Sequence, residues 1–234
     1  SSALGIAIPH LQIQHEEGKV IENVSTIIEA ISSVEGVVAL SPRVRSYGIL
    51  CVDNNTVPVS IVGVDYSYER SFMLQSKYLT NEIEALANDS AIVGKGIAAK
   101  YNVSVNDEVS VVFSNGLVKK YKVVSLLETG FSDIDDSTLI VSMSELRSVL
   151  KLKSDQCHVI VVKVSNPYEV DEVARAIEGE LSKRGVVDDL TVKTWKDVGK
   201  SILRPLTTER EHTAILLSAI AVVVGLSITN VMAL

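Results

Sequence analysis

Four histidines, two cysteines and a run of aspartates are the side chains of this 234-residue sequence whose chemistry is suited to metal ligation, covalent bonding or proton transfer. His10 and His15 lie on or beside one alternating segment, five residues apart, so they point to opposite faces of a strand. His158 and His212 are isolated in sequence, and no pair has the spacing of a metal site. Asp133, Asp135 and Asp136 resemble the opening of a calcium loop, but the following glycine and the glutamate at the twelfth position are missing, so the expectation is a solvated acidic loop. Cys51 and Cys157 are about a hundred residues apart, which allows one long-range disulfide or two free thiols; two buried thiols is the preferred reading.

The phosphate-binding and nucleophile templates fare no better. GKGIAAK, Gly94 to Lys100, has neither the spacing nor the Ser/Thr of a Walker loop, so ATP is not bound by that route. No GxSxG elbow, HExxH helix or CxxC pair occurs. The sequence therefore supplies no catalytic, cofactor-binding or metal residue and assigns no substrate-binding one; it does not read as an enzyme.

Bulk properties remove another class. The net charge of −7 opposes a phosphate backbone, and aromatic residues are only 5% of the chain, too few for a base-stacking platform. Nucleic acid is excluded as a partner, and the core must be aliphatic. Four N-x-S/T triplets, at Asn23, Asn54, Asn88 and Asn102, would accept glycans on a surface reached by a glycosylating enzyme and favour an extracellular face.

The elements follow from periodicity. Ile6 to Gln14 alternates as a half-buried strand. Val20, Val24, Ile27, Ile28 and Ile31 share one helical face, and after Gly36 the run VVALSPRV is a second strand. Val44 to Asp65 reads as a hairpin turning at Asp53-Asn54-Asn55, and Tyr66 to Asp89 as a polar region. SAIVGKGIAAKYNVSVND gives a short apolar strand and a compact helix. VSVVFSN and LVKKYKVVSLLE form a hairpin through Ser114-Asn115-Gly116. Thr138 to Ser142 is a strand, followed by a helix to Leu150 capped by Ser144. HVIVVKV is a strand, and the helix after it starts near Pro167, stops before Gly185 and carries the stripe Val170, Val173, Ala174, Ile177 and Leu181. Leu190 to Trp195 is the final strand. Two strand-helix-strand units at the ends of this region can pair into a ferredoxin-like sandwich with the β-rich middle inserted between them, an α+β fold.

Thr213 to Leu234 runs 22 residues without a charge and holds eleven Leu, Ile or Val. A helix needs about 20 apolar residues to cross the hydrocarbon layer, so this segment is expected to span a membrane. Ser218, Gly225 and Ser227 would let a neighbouring helix approach closely, as in a bundle. The start at Ser1 and the stop directly after the span read as a piece of a larger membrane protein. Thr194 to Thr213 joins the last strand to the span with little turn-forming sequence, and Pro205 would kink a helix there.

In order and spacing, ISSVEGVVALSPRV (Ile31 to Val44), IVGVD (Ile61 to Asp65), AIVGKGIAAKYNVSVNDEVSVV (Ala91 to Val112), DDSTLIVSMSELRSVL (Asp135 to Leu150), VKTWKDV and the C-terminal LSAIAVVVGLSITNVMAL resemble the MacB-like and FtsX-like family of ABC-transporter permeases, which includes lipoprotein-releasing permeases. The resemblance implies a porter subdomain at residues 1–44 and 156–204, an inserted Sabre-like subdomain at 45–155, and a stalk and transmembrane helix at 205–234, with Trp195 to His212 transmitting motion. It further implies a multi-pass cell-membrane protein with residues 1–212 largely extracytoplasmic, in contact with membrane lipids. Its partners would be a cytoplasmic ABC ATPase subunit, a second permease copy in a homo- or heterodimer, and, as a further candidate, an extracytoplasmic protein. Two roles follow: movement of a lipid, lipoprotein, peptide or drug by mechanotransmission, or activation of a cell-envelope protein such as a hydrolase. Val44 to Asn88 shows no identifiable hook or adaptor-docking element, which leaves cargo and envelope type open.

Overall fold

A computed structural model of the chain describes residues 9–73, 83–185 and 189–197. Ser1–Thr194 forms one compact unit and Trp195–Leu234 another. The expected span at 213–234, most of the expected stalk and the first residues of the opening strand lie outside the described residues. No helix among the described residues is long and apolar enough to cross a membrane.

Nine strands order the first unit: β1 (Leu11–His15), β2 (Val37–Val52), β3 (Asn55–Val64), β4 (Ser90–Gly94), β5 (Glu108–Phe113), β6 (Val118–Leu127), β7 (Thr138–Ser142), β8 (Val159–Val164) and β9 (Leu190–Thr194). Among the described residues the α-helices between them include α1 (Val24–Ser32), α2 (Tyr66–Met73), α3 (Lys95–Tyr101), α4 (Ser132–Asp135), α5 (Met143–Leu150) and α6 (Val170–Lys183).

The first half of β2, with β8, β1 and β9, forms a four-stranded antiparallel sheet in the order β2-β8-β1-β9. With helices after its first and third strands, this is the ferredoxin-like arrangement that the two strand-helix-strand units require. Its helix-covered face buries Leu11, Ile13, Ile160 and Val162 under Val24, Ile27 and Ile31 of α1 and the full expected stripe of α6. Charge outside and aliphatic residues inside at 3.6 spacing let α6 bury one face on this sheet while the other meets solvent. α1 begins at Val24, so Val20 falls outside it. The carboxylate of Asp155, from the loop before β8, accepts from Ser25 N (2.8 Å) and Ser25 Oγ (2.6 Å) and so satisfies the start of α1 from the far end of the chain.

The inserted strands close on themselves. β2 pairs with β3, β3 with β7, β7 with β4, β4 with β6, β6 with β5, and β5 returns to β2, a ring of six strands. Period-2 alternation sends Val57, Val59 and Ile61 of β3, Val109, Val111 and Phe113 of β5, and Tyr121 and Val123 of β6 to the buried side. On α5, Leu146 packs where Gly63 leaves room for it. The expected cap of α5 differs: Ser142 holds the cap position, and Ser144 lies inside the helix with its hydroxyl 2.7 Å from that of Ser142.

β2 belongs to both parts. Arg43 is its last residue paired with β8 and Val44 its first paired with β3, with no break in the strand. Read from the sequence, VVALSPRV and the first hairpin strand are two elements. The strand runs through Pro42 as one 16-residue element. The expected polar region also holds a helix, α2, which lies on the sheet face opposite α1 and α6.

Candidate functional site

A cleft of about 290 Å³ opens on the outer face of the ring. Arg43, Arg45 and Tyr47 reach it from β2, and Ser60, Val62 and Val64 from β3. These residues share a face because Arg45 pairs with Val62 and Tyr47 with Ser60, opposite the inward Val44, Ser46 and Ile61. Thr138 and Ile140 of β7, in register with Ser60 and Val62, continue the floor. Leu127, Thr129 and Ile134 form the far wall. The result is an aliphatic trough with hydroxyls along it and guanidinium groups at one side.

Those groups sit in a buried polar network. Glu69 of α2 is 0% exposed and accepts from Ser41 Oγ (2.7 Å), Arg43 Nε (2.7 Å) and Arg43 Nη2 (3.2 Å). Lys163, the one charge in the otherwise apolar β8, donates from Nζ to the backbone oxygen of Phe72 (2.6 Å) and lies 4.7 Å from that ring's centre. Burial pulls the Lys163 pKa down, Glu69 pushes it back up and Arg43 lowers it further. Arg45 is placed differently. Its Nη2 reaches Gln12 Oε1 at 3.5 Å, and among the described residues no carboxylate lies within ion-pair distance of it. Burial and then the Arg43 charge hold its pKa below the usual arginine range.

The residues singled out for metal chemistry do not converge, and among the described residues no three His, Cys, Asp or Glu side chains form a metal-binding group. His10 Nδ1 accepts from Val164 N and His158 Nδ1 from Arg45 N, each at 3.1 Å. His15 lies 3.8 Å from Asp189, and His212 falls outside the described residues. Burial lowers the pKa of His158, with the Arg45 charge adding to it, and burial does the same for His10, helped by Lys163. An unfolded chain takes up these protons near pH 6.5, while the folded one resists, so the unfolded state binds more protons as pH falls below that value. The urea midpoint should therefore drop between pH 7.5 and pH 5, and the drop should be shallower in His158→Gln.

The acidic triplet departs from its expectation at one residue, since Asp133 and Asp136 are exposed and Asp135 is not. Asp135 is buried rather than solvated, closes α4, and accepts from Thr129 N (2.8 Å), Thr129 Oγ1 (2.7 Å) and Gly130 N (3.1 Å). GKGIAAK packs against this turn: a Cβ on Gly94 would overlap the Asp135 backbone oxygen, and one on Gly96 the Asp136 carboxylate. The two motifs thus form one structural joint beside the cleft wall, explaining the glycines without a phosphate.

Cys51 and Cys157 are both free. Cys157 is fully buried as expected, and burial pushes its thiol up to about 12; Cys51 is half-exposed on β2. A thiol reagent should label one cysteine per folded chain, at Cys51, and reach the second only in denaturant. Asn23, Asn54, Asn88 and Asn102 are all exposed, though the Ser90 hydroxyl of the third triplet is bonded to Ala87 O (2.9 Å). Sequence reasoning missed the cleft itself, whose lining residues come from β2, β3, α2, β7 and the 127–134 segment.

A ferredoxin-like sheet continued into a closed ring, with no catalytic cluster among the described residues, narrows the choice of family, and comparison with known proteins decides it. The model of the MacB-like periplasmic core domain matches residues 8–180. The chain belongs to the MacB-like periplasmic core domain family. It is a component of an ABC-transporter permease, extracytoplasmic by the nature of this domain, and on that ground not a catalytic enzyme. The periplasmic region of MacB from Actinobacillus actinomycetemcomitans superposes with a TM-score of 0.57 at 15% identity, covering 85% of this chain and 94% of that one. The extracellular domain of the noncanonic ABC-type transporter YknZ from Gram-positive bacteria gives 0.52 at 12%, covering 79% and 99%. These likenesses establish a MacB-type α+β fold. The lipoprotein-releasing system transmembrane protein LolC of Neisseria meningitidis serogroup B is 22% identical over 238 residues, covering 95% of this chain and 55% of that protein. This MacB-like chain thus spans about half the length of the curated relative it matches.

Proposed function

We propose that this chain is the extracytoplasmic domain, with the following membrane span, of a multi-pass permease that couples ATP hydrolysis by a cytoplasmic ABC ATPase subunit to export or extraction of a lipid, lipoprotein, peptide or drug. A second permease copy completes the transporter. The observation that carries this reading is the pairing of Leu11 with Thr194. The first strand begins where the last one ends, on adjacent strands about 5 Å apart. A domain whose entry and exit lie side by side is suited to insertion between two membrane helices, and the apolar Thr213–Leu234 supplies the second. We assign residues 1–44 and 156–204 to a porter part and 45–155 to a Sabre-like part; the change of partner along β2 at Arg43 and Val44 supports this division.

A regulatory reading is favoured by one feature. Tyr47, Ile49 and Val118 are 72%, 46% and 57% exposed on the outside of the ring, joined through Val112, which pairs with both Ile49 and Val118. An apolar strip of this kind suits an extracytoplasmic protein partner.

The test replaces Leu203–Leu206 with a flexible Gly/Ser stretch in the full-length permease, reconstituted in lipid with its ATPase. Transport or partner activation should be lost while basal ATP hydrolysis persists. Unchanged transport would make the stalk a passive linker and defeat the mechanotransmission reading.

A further inference from the structure

We propose that the cleft on the outer face of the ring binds a single-chain anionic amphiphile, its carboxylate or phosphate head on Arg45 and its apolar chain along Val62, Ile134 and Ile140. Arg43 is engaged by Glu69 through two hydrogen bonds, while Arg45 is half-buried beside it with a single distant amide oxygen as acceptor and no acid in reach among the described residues. A guanidinium stays charged at any physiological pH, and an uncompensated charge held away from water is costly, so this position favours an anion that completes its shell.

The planar fork of Arg45 matches a carboxylate or a phosphate bidentately, and Glu69, which also lines the cleft, is held on Arg43 and so does not face the head group as a bare carboxylate. The rest of the cleft selects the remainder of the ligand. Beyond the arginines the floor is aliphatic, and the hydroxyls of Ser60, Thr129 and Thr138 are too few to hold a sugar or nucleotide. Its volume, at the low end of the ~300–1,000 Å³ of small-molecule sites, suits a head group and part of one chain rather than a folded partner. A carboxylate and a phosphate monoester share this chemistry, and the site is not restricted to either.

The experiment uses the chain in phosphatidylcholine nanodiscs with a diazirine-bearing dodecanoate, crosslinks being mapped by mass spectrometry. Label should concentrate on the peptides carrying residues 60–64 and 131–140. It should be displaced by dodecanoate and dodecyl phosphate but not by dodecanol or inorganic phosphate, and should fall at least ten-fold in Arg45→Gln. Thr138→Trp, which fills the cleft floor two residues from Ile140 on β7 and leaves the charges alone, should abolish it as well and decides the matter if Arg45→Gln does not fold. Displacement by dodecanol as readily as by dodecanoate would overturn the anionic head, displacement by inorganic phosphate alone would overturn the chain, and label spread evenly along the protein would overturn the site. Labelling needs no ATP, so its failure and a failure of coupling are separate results.

Discussion

Glu69→Ala should lower the stability of the protein by about 3–5 kcal/mol, the cost of leaving buried cations without their carboxylate. Glu69 has no exposed surface, and three donors converge on its two oxygens from β2. Removing it strands Arg43 against Phe72 and takes away the attraction that offsets the burial of Lys163. Double-mutant analysis sharpens the expectation: Arg43→Met alone should also be costly, yet the double variant Arg43→Met/Glu69→Ala should be more stable than the sum of the single losses predicts. Urea unfolding of the four proteins measures this, and strict additivity would mean that the pair is not coupled.

Gly94→Ala should be the second severe change, roughly 1–3 kcal/mol or somewhat more, because the clash is with backbone rather than with a mobile side chain. The added methyl would meet Asp135 O, so either β4 or the 129–136 turn must move. Movement of that turn displaces Thr129 and Ile134 from the cleft wall. The expected readout is a lower melting temperature together with faster hydrogen exchange at Thr129 and Gly130, whose amides the Asp135 carboxylate holds. Ala substitution at Gly179, which faces open space, is the control and should leave exchange in the turn unchanged.

The parts of this fold that were legible in the sequence are those fixed by short-range periodicity. All five residues of the Val170 to Leu181 stripe are buried, and the Asn115-Gly116 turn joins β5 and β6 with Gly116 at φ 81°. The ferredoxin-like order could be inferred because two strand-helix-strand units have few ways to pair. Closure of the ring could not, since it depends on pairings such as Ser60 with Thr138 that no local pattern announces. α2 reads as polar in sequence because YSYERSFM spends its inward positions on Glu69 and Phe72 rather than on an aliphatic stripe. Asp135 reads as solvated because a carboxylate buried by backbone amides is indistinguishable in sequence from one facing water. The cleft was illegible altogether, being assembled from segments up to about a hundred residues apart.

The uninterrupted strand β2 determines how the two halves of the unit can move. Sixteen residues at about 3.3 Å each span roughly 50 Å, and a ladder braces the strand on either side of the changeover at Arg43 and Val44. A loop at that point would act as a slack tether and let the ring drift while the sheet tilted. A continuous strand behaves as a lever arm: a tilt of about 5° at its base carries the far end by roughly 4 Å. Small displacements of the sheet are thereby geared up at the hairpin tip around Asp53, the end of the unit farthest along β2 from its sheet.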